Sequence, residues 1–508
     1  MTHTLRSLIG DLNYRLIAGN PDTEVSQISY DSRQASPSGV FVCIHGHIVD
    51  AHSYIPEVIS KGVSAVVINN DENLYDRDQI LEMSKESDVT FIGVDDTRIA
   101  LAKMSIAFYD HPASSLQMIG ITGTKGKTTT TYMIYNIFAE AGKKTGLIGT
   151  IANIIGGEIK QAKRTTPEAV DLQLILKEMA DTGSDSCVME VSSLGLAFGR
   201  VYGIDFQVSA FTNLYPDHIS AAEHADMKEY LEAKLLIFKQ SKNALVNLDC
   251  SVGREVVDFA RDHCPVYTYG LSEECDCRAV SEIHIVRDGI NGTEIELRSP
   301  WYNGTVFIGL PGRFNIYNAL CAIAISGLSG IPFEEVRRAL AKVAVPGRLQ
   351  NVPNHMGITA LVDYAHNAAS LEILLDTLRE YCTGRLITVF GCGGNRSGTR
   401  RTEMGRVAGR LSDLTFVTSD NPRDEEPMEI INAILEGIIP TGGKFIVEPD
   451  RKTAIEKAIM EAAPGDFVII AGKGHENYQI FKDQVIHFDD AETAAEVFSR
   501  ITDKRDRG

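Results

Sequence analysis

The sequence predicts an α/β fold of three domains built on mostly parallel sheets, and three observations carry that prediction. At 508 residues the chain is too long for one hydrophobic core. From Leu116 to Val345, short apolar runs alternate with helix-length segments, the pattern of strands joined by helical crossovers. Two proline-bearing stretches, His111-Pro112-Ala113-Ser114-Ser115 and Val345-Pro346-Gly347, interrupt the alternation and read as linkers. The expected domains are therefore residues 1–114, 115–345 and 346–508.

The first domain is expected to be a smaller mixed α/β unit. Its strand candidates are Val40 to Ile44, Ala65 to Ile68 and Thr90 to Val94, with Asp31-Ser32-Arg33 and Gly46-His47 in loops. The central domain offers strands at Leu116 to Ile121, Thr145 to Gly149, Cys187 to Val191, Val208 to Thr212 and Ala244 to Asn247. Helices are expected at Thr128 to Ala141, Pro167 to Asp181 and Asn315 to Leu328. A strand-rich stretch, Ala279 to Leu310, predicts antiparallel pairing with Asn291-Gly292 as its hairpin turn. In the third domain four strand-like runs each end in a polar cluster. These are Asp363-Tyr364-Ala365-His366, Gly391 to Arg396, Asp420-Asn421-Pro422-Arg423 and Gly472-Lys473-Gly474-His475-Glu476. Ligands of open α/β sheets bind beyond the carboxyl ends of the strands, so the four clusters predict one shared binding edge.

Composition narrows the function. A net charge of −19 argues against general nucleic-acid binding and against adhesion to anionic membranes. Nine cysteines without a repeat spacing read as reduced thiols of a cytoplasmic protein, and Cys264, Cys275 and Cys277 lack the second pair that a zinc site needs. No export signal or membrane-length apolar run is read, so neither membrane insertion nor export is expected.

Gly123-Thr124-Lys125-Gly126-Lys127-Thr128-Thr129 carries the strongest chemical signal. A strand that turns on glycines into a helix N-terminus lets backbone N–H groups cradle phosphate. Lys127 suits the terminal phosphates of ATP and the Thr128 hydroxyl suits Mg²⁺. Ile121 occupies the first glycine position of the full motif, so the loop is a shortened variant. Glu190 ends a buried strand and His218 follows Asp217 just beyond another. A carboxylate and an imidazole so placed suit a divalent metal between ATP and a second substrate. Met227, Tyr230, Leu231, Lys234, Leu235 and Phe238 mark one helical face, which puts Lys234 on an apolar stripe. Such a lysine either snorkels to water or is held inward, where a desolvated amine loses its charge and can add CO₂.

Taken in order, Gly123 to Thr129, Glu190-Val191-Ser192-Ser193, Thr212-Asn213 with Asp217-His218, Lys234, Gly312-x-Phe314-Asn315-x-x-Asn318, Gly347-Arg348 and Asp363-Tyr364-Ala365-His366 resemble the Mur ligase family. These are the ATP-dependent amide ligases of peptidoglycan assembly. The resemblance spans nearly the whole chain and is closest to members that add the third amino acid. It implies an N-terminal domain for the UDP end of the acceptor, a central P-loop-type ATP domain and a Rossmann-like C-terminal domain for the amino acid. It further implies carbamylation of Lys234, with the carbamate, Glu190, His218 and Thr128 around Mg²⁺. Lys127, Glu190, His218 and Lys234 would be the catalytic set. Asn315 and Asn318 would lie near adenine, Arg348 near the phosphates and Asp363 near the ribose. Ser32, Thr165, Thr166, Ser192 and Arg200 would bind the acceptor, UDP-N-acetylmuramoyl-L-alanyl-D-glutamate. The implied reaction passes through an acyl phosphate on the D-glutamyl carboxylate, which an incoming amine then attacks.

Asp420-Asn421-Pro422-Arg423 matches the family motif associated with meso-diaminopimelate. That substrate carries a distal carboxylate that lysine lacks, and Arg423 and Arg396 can grip it through paired charge-assisted bonds. Gly472, Glu476 and Asn421 would hold its distal end. Asp424-Glu425-Glu426 reads as a solvated acidic run. Several positions depart from the family pattern: Leu194 in place of His, Phe198 in place of a polar acceptor contact, extra residues in Ile219 to His224, Asn367-Ala368-Ala369 and Thr402. They mark a divergent or paralogous member. The alternatives are a paralogue that adds L-lysine or another amino acid, a folylpolyglutamate-synthase-like ligase, and a nucleotide-switched binding protein that no longer ligates. A monomer is expected.

Overall fold

The computed structural model describes residues 2–46, 50–217, 219–220 and 223–505. The chain divides into two compact units. One comprises Met1–Arg278, Ser299–Trp301 and Leu320–Pro332; the other comprises Ala279–Arg298, Tyr302–Ala319 and Phe333–Gly508.

Besides a two-stranded pairing of His3–Thr4 with Glu24–Val25, the first unit holds two main sheets. The N-terminal one has five strands, in the spatial order Tyr14–Ala18, Thr90–Val94, Ala65–Asn69, Gly39–Val42 and Gln27–Ser29. Only Tyr14–Ala18 runs antiparallel to its neighbour. His111-Pro112, expected to be plain linker, enters a short 3-10 turn at Pro112–Ser115, with Asp110 and His111 both in the left-handed region.

The central sheet places the phosphate-loop strand Gln117–Thr122 in the middle, parallel to Ser186–Glu190 on one side and to Phe206–Phe211 on the other. Thr145–Ile148 lies outside the first, and Ala244–Asn247 then Val266–Gly270 outside the second. These strands read as near-continuous apolar runs because both faces are covered, and their side chains form one core with the flanking helices. Ser186–Glu190 and Phe206–Phe211 therefore deliver their carboxyl ends to the edge where Gly123 turns into the helix Lys127–Glu140. A hairpin, Ala152–Ile155 with Glu158–Gln161, extends this sheet through a Gly156-Gly157 turn.

The second unit contains an antiparallel run and a six-stranded sheet. Cys277–Arg287 and Ile290–Arg298 are joined by Asp288-Gly289, not by Asn291-Gly292. Asp288 and Gly289 have φ of 52° and 77°, the two positive values a type I′ turn requires, and Asn291 and Gly292 instead lie within the second strand. The six-stranded sheet runs 350–351, 359–363, 467–471, 386–390, 414–417, 445–447, and every pairing but the first is parallel. Asp363 and Phe390 both register with Ala471, and Val417 registers with Phe390. The four expected polar clusters thus leave one edge of one sheet.

Candidate active site

Gly126 caps the helix Lys127–Glu140 in the left-handed conformation, with φ of 87°. The loop is tied down from behind: the Thr124 and Lys125 amides donate to Asn213 at 2.9 and 2.8 Å, and the Thr212 hydroxyl donates to the Lys125 carbonyl. Lys127 Nζ donates to the carbonyls of Gly123 and Thr124, at 2.8 and 3.1 Å. Its ammonium is thus stationed over the loop whose amides would hold phosphate. Lys125 pairs with Asp217 at 3.2 Å.

Glu190 is 1% exposed, yet its carboxylate is fully engaged. The Thr128 hydroxyl lies 3.0 Å from both of its oxygens, the Thr150 amide donates at 2.8 Å, and the Thr150 hydroxyl at 3.1 Å. Gly149 makes the approach possible, since a Cβ there would lie 2.4 Å from Glu190 Oε1. Neither Thr150 nor Gly149 was singled out from the sequence; the close of an apolar strand on Gly-Thr was the available signal. Among the described residues no group of three His, Cys, Asp or Glu side chains gathers as a metal cage. The oxygens of Glu190 and Thr128 are nonetheless the hard donors that Mg²⁺ prefers. His218 lies outside the described residues, as does His47.

Lys234 points inward. It is 1% exposed, and its Nζ donates to the Gly123 carbonyl at 2.9 Å and lies 4.3 Å from the centre of the Tyr230 ring. The snorkelling alternative fails, because the side chain is buried and its ammonium is turned to the Gly123 carbonyl of the phosphate loop. Burial, and then the charge of Lys127, pull the Lys234 pKa well below its ordinary value. The residue is thereby suited to exist as a neutral amine beside the loop.

The residues expected to bind acceptor interlock with the same centre. The Thr165 hydroxyl lies 3.0 Å from the Thr150 hydroxyl. The Thr166 hydroxyl donates to the Glu190 carbonyl and accepts from the Ser192 amide. Arg200 donates to the Thr166 carbonyl at 3.2 Å and pairs with Glu168 at 2.7 Å. Ser192 caps the short helix Ser193–Ala197, in which Leu194 takes the place of the family's histidine. A histidine returns from elsewhere: buried His224 meets the Ser193 hydroxyl at 2.9 Å. Ser32 lies in a short 3-10 turn of the N-terminal sheet, its carbonyl accepting from Lys61.

In the second unit, Asn315 and Asn318 are buried on the helix Arg313–Leu328; Asn318 Nδ2 donates to Asn315 Oδ1 at 3.0 Å, and Asn315 donates to the Pro311 carbonyl. Arg348 stacks 4.7 Å over the Tyr364 ring, and the Asp363 carboxylate accepts from the Leu349 and Ala365 amides. Burial raises the Asp363 pKa against the opposing pull of Arg348.

The sheet edge gathers the residues expected to hold the amino acid. Asn421 donates to Glu476 at 2.9 Å, and Arg423 donates to the Gly394 carbonyl at 3.0 Å. Asp420 and Asn421 are pinned by Gln479 and Ile480, while the Arg423 amide donates to the Ile480 carbonyl. Pro422 closes on the glycine loop, where a Cβ on Gly394 would lie 1.9 Å from the Pro422 carbonyl. Gly472 comes beside Asp420, and Arg396 is exposed in the Gly391 loop. Lys473, which the sequence names only as part of its polar cluster and gives no role, is wholly buried and reaches both Asn421 and Glu476, at 3.2 and 3.3 Å. Asp424 and Glu426 are exposed, as expected of a solvated acidic run, but Glu425 between them is half-buried. Glu425 forms a two-pronged bond with Arg401, 2.8 Å on each side, and accepts from the Asn395 amide, while Asp424 accepts from the Asn395 side chain. These carboxylates brace the glycine loop and are spent there.

Three models of known families match the chain in order: the Mur ligase family catalytic domain at 24–109, the Mur ligase middle domain at 121–326 and the Mur ligase glutamate ligase domain at 347–474. UDP-N-acetylmuramoyl-L-alanyl-D-glutamate--2,6-diaminopimelate ligase 1 of Clostridium acetobutylicum is 41% identical over 501 residues, covering 98% of this chain and 99% of the relative. The like-named ligase of Clostridium botulinum is 41% identical over 500 residues, covering 98% and 100%. A solved structure of a ligase of that name superposes with a TM-score of 0.70 at 26% identity, covering 99% of this chain and 100% of the other. The order of the three matched domains and the full-length likeness agree with the site just described: the chain belongs to the Mur ligase family.

Proposed function

We propose that this enzyme joins meso-diaminopimelate to UDP-N-acetylmuramoyl-L-alanyl-D-glutamate, converting ATP to ADP and phosphate. The observation that carries the amino-acid assignment is the division of charges at the C-terminal sheet edge. Arg423 shares a loop with Asn421, whose side chain donates to Glu476, and its guanidinium donates to Gly394 in the facing loop that carries Arg396, while the neighbouring carboxylates of Glu425 and Asp424 are tied to Arg401 and Asn395. A site for lysine would keep an acid free for the lone distal ammonium. A site for diaminopimelate needs guanidinium for the distal carboxylate as well.

The chemistry divides among the proposed domains, 1–114 for the acceptor nucleotide, 115–345 for ATP and 346–508 for the amino acid. Gly123 to Thr129 would hold the triphosphate, with Asn315, Asn318, Arg348 and Asp363 serving the rest of the nucleotide. Lys127 offsets negative charge that develops as the γ-phosphoryl group passes to the D-glutamyl side-chain carboxylate. The diaminopimelate amine then attacks the acyl phosphate, phosphate leaves and the amide forms. Thr128 and Glu190, joined by His218, would hold Mg²⁺, which supplies positive charge at the phosphoryl oxygens when bound. As a neutral amine, Lys234 can add CO₂ and release a proton to become an anionic carbamate. Thr165, Thr166, Ser192, Arg200 and Ser32 would orient the acceptor. No helix among the described residues is long and apolar enough to cross a membrane, in keeping with a cytoplasmic enzyme whose substrates are water-soluble nucleotides. We take the working form to be a monomer.

The test is incubation with ATP, Mg²⁺ and the dipeptide nucleotide against a panel of amino acids, with the products weighed by mass spectrometry. Product with diaminopimelate, and little with L-lysine or L-glutamate, supports the reading. Product with lysine alone would reassign the amino acid, and phosphate release without any product would overturn ligation.

A further inference from the structure

Arg200 belongs to a cluster of charge in the first unit whose other cation, Arg98, has been given no role so far. Arg98, at the start of the helix Thr97–Phe108, places its guanidinium 4.2 Å from the centre of the Phe198 ring. Arg200 approaches the same ring at 5.7 Å. Gly199 permits this meeting: it turns with φ of 64°, and its Cα comes so close to Ile99 that a Cβ would lie 2.9 Å from that side chain.

Counted by partner, the cluster is short of negative charge. Glu168 serves both Arg164, at 2.6 Å, and Arg200, at 2.7 Å, through the same oxygen. The other nearby acid, Asp96, is occupied in capping its helix, accepting from the Arg98 and Ile99 amides. Among the described residues, the Arg98 guanidinium forms no ion pair or hydrogen bond. Arg200 Nε is buried and has no hydrogen-bond partner. Burial and the charges of Arg200 and Arg164 lower the Arg98 pKa, the mark of cations crowded together in partial shelter from water.

A ring stacked against a guanidinium engages its flat face and leaves the N–H edge open. Phe198, where the family pattern has a polar acceptor contact, offers the acceptor no hydrogen bond of its own. It can instead present two guanidinium edges. Arg200 also joins this cluster to Thr166, and through Thr166 to Glu190. We infer that Arg98, together with Arg200, grips an anionic group of the acceptor nucleotide, making Arg98 a further acceptor-binding residue. This rests on the assignment of Thr165, Thr166 and Arg200 to the acceptor. The anion is either the D-glutamyl α-carboxylate or the diphosphate.

The experiment measures steady-state constants of the wild type, Arg98→Gln and Arg98→Lys on three substrates, with melting curves for each protein. Arg98→Gln is expected to raise the KM for the dipeptide nucleotide about 10- to 100-fold, the worth of one charge-assisted contact. Arg98→Lys, which keeps the charge without the fork, is expected to raise it about 3- to 10-fold. The KM values for ATP and diaminopimelate should move less than about threefold. An acceptor bearing D-isoglutamine, with an α-carboxamide in place of the α-carboxylate, separates the two sources. If Arg98 holds that carboxylate, the variants and the wild type converge on this substrate. If Arg98 holds the diphosphate, the penalty persists and inhibition by UDP weakens in parallel. An acceptor KM within about twofold of wild type in whichever variant folds overturns the inference. A wild-type enzyme that makes no product from the dipeptide nucleotide would instead overturn the acceptor assignment itself.

Discussion

Arg451 and Asp490 offer a perturbation whose effects on stability and on the site can be told apart. Both side chains are fully buried, and the guanidinium binds the carboxylate through Nε and Nη2, each at 2.7 Å. Arg451 also donates to the Ala471 carbonyl at 3.0 Å and to the Ser419 carbonyl at 3.3 Å. Those residues immediately precede Gly472 and Asp420, so one guanidinium ties together two loops of the proposed amino-acid site. Arg451→Met strands Asp490 as an uncompensated buried charge and should cost about 3–5 kcal/mol of unfolding free energy. Arg451→Met combined with Asp490→Leu removes the stranded charge and should recover most of that loss, leaving about 1–3 kcal/mol for the undonated carbonyls. Site geometry should not recover, because no donor remains to hold the loops together. The assay is urea unfolding of all three proteins, with the KM for diaminopimelate measured beside the KM for ATP. Expected in the double variant is near-restored stability with a diaminopimelate KM still raised about tenfold and an ATP KM little changed. A double variant whose KM returns to wild type along with its stability would refute the positioning role.

Other expectations follow from single contacts. Gly149→Ala would drive a methyl into Glu190 Oε1, so ATP-dependent ligation should fall at least about 100-fold, beside a loss of about 1–3 kcal/mol of stability from overpacking that leaves the protein folded; activity within about tenfold of wild type would count against the placement of Glu190. Glu425→Gln removes the brace on the glycine loop and should raise the diaminopimelate KM several-fold while sparing that for ATP. His475, half-buried against Tyr364, has its pKa pulled from 6.5 down to about 4 by burial and then by Arg348 and His366. The unfolded chain therefore takes up this proton at higher pH than the folded one, so stability is full above about pH 6.5 and declines as pH falls toward 4. Between pH 7 and 5 the loss from this group should be about 2 kcal/mol. Urea midpoints at both pH values should show it in the wild type and not in His475→Gln.

Much of the framework was legible because strand ends in a parallel sheet are marked twice, by an apolar run and by the polar residues that follow. Thr90–Val94, Ala244–Asn247, Leu386–Phe390 and Phe467–Ala471 begin and end where the apolar runs do. The hairpin in the second unit was misplaced by a few residues because two turn dipeptides, Asp288-Gly289 and Asn291-Gly292, lie close together. Either can supply positive φ, and only pairing with Asn303–Ile308 decides between them.

What sequence could not disclose is which charge meets which. Arg401 and Glu425 are 24 positions apart, Arg451 and Asp490 are 39, and no periodicity links either pair. Asp424 and Glu426 are exposed as their run suggests, whereas Glu425 between them is engaged by Arg401 from another element, which no local pattern announces. Lys234 shows the same limit from the other side. A lysine on an apolar stripe is compatible with two burial states, and the helix alone favours the one that keeps its ammonium wet. The phosphate loop decides the matter. Gly123 offers its carbonyl to both Lys127 and Lys234, so two cations share one acceptor, and the one with less access to water is the one whose charge is easier to surrender. The loop that would hold the triphosphate is therefore also what favours the neutral amine that the proposed addition of CO₂ to Lys234 requires. If so, replacing Lys127 by Met should raise the pKa of Lys234 and reduce its labelling by ¹³CO₂, as read by carbon NMR. Unchanged labelling would show that burial alone governs the amine.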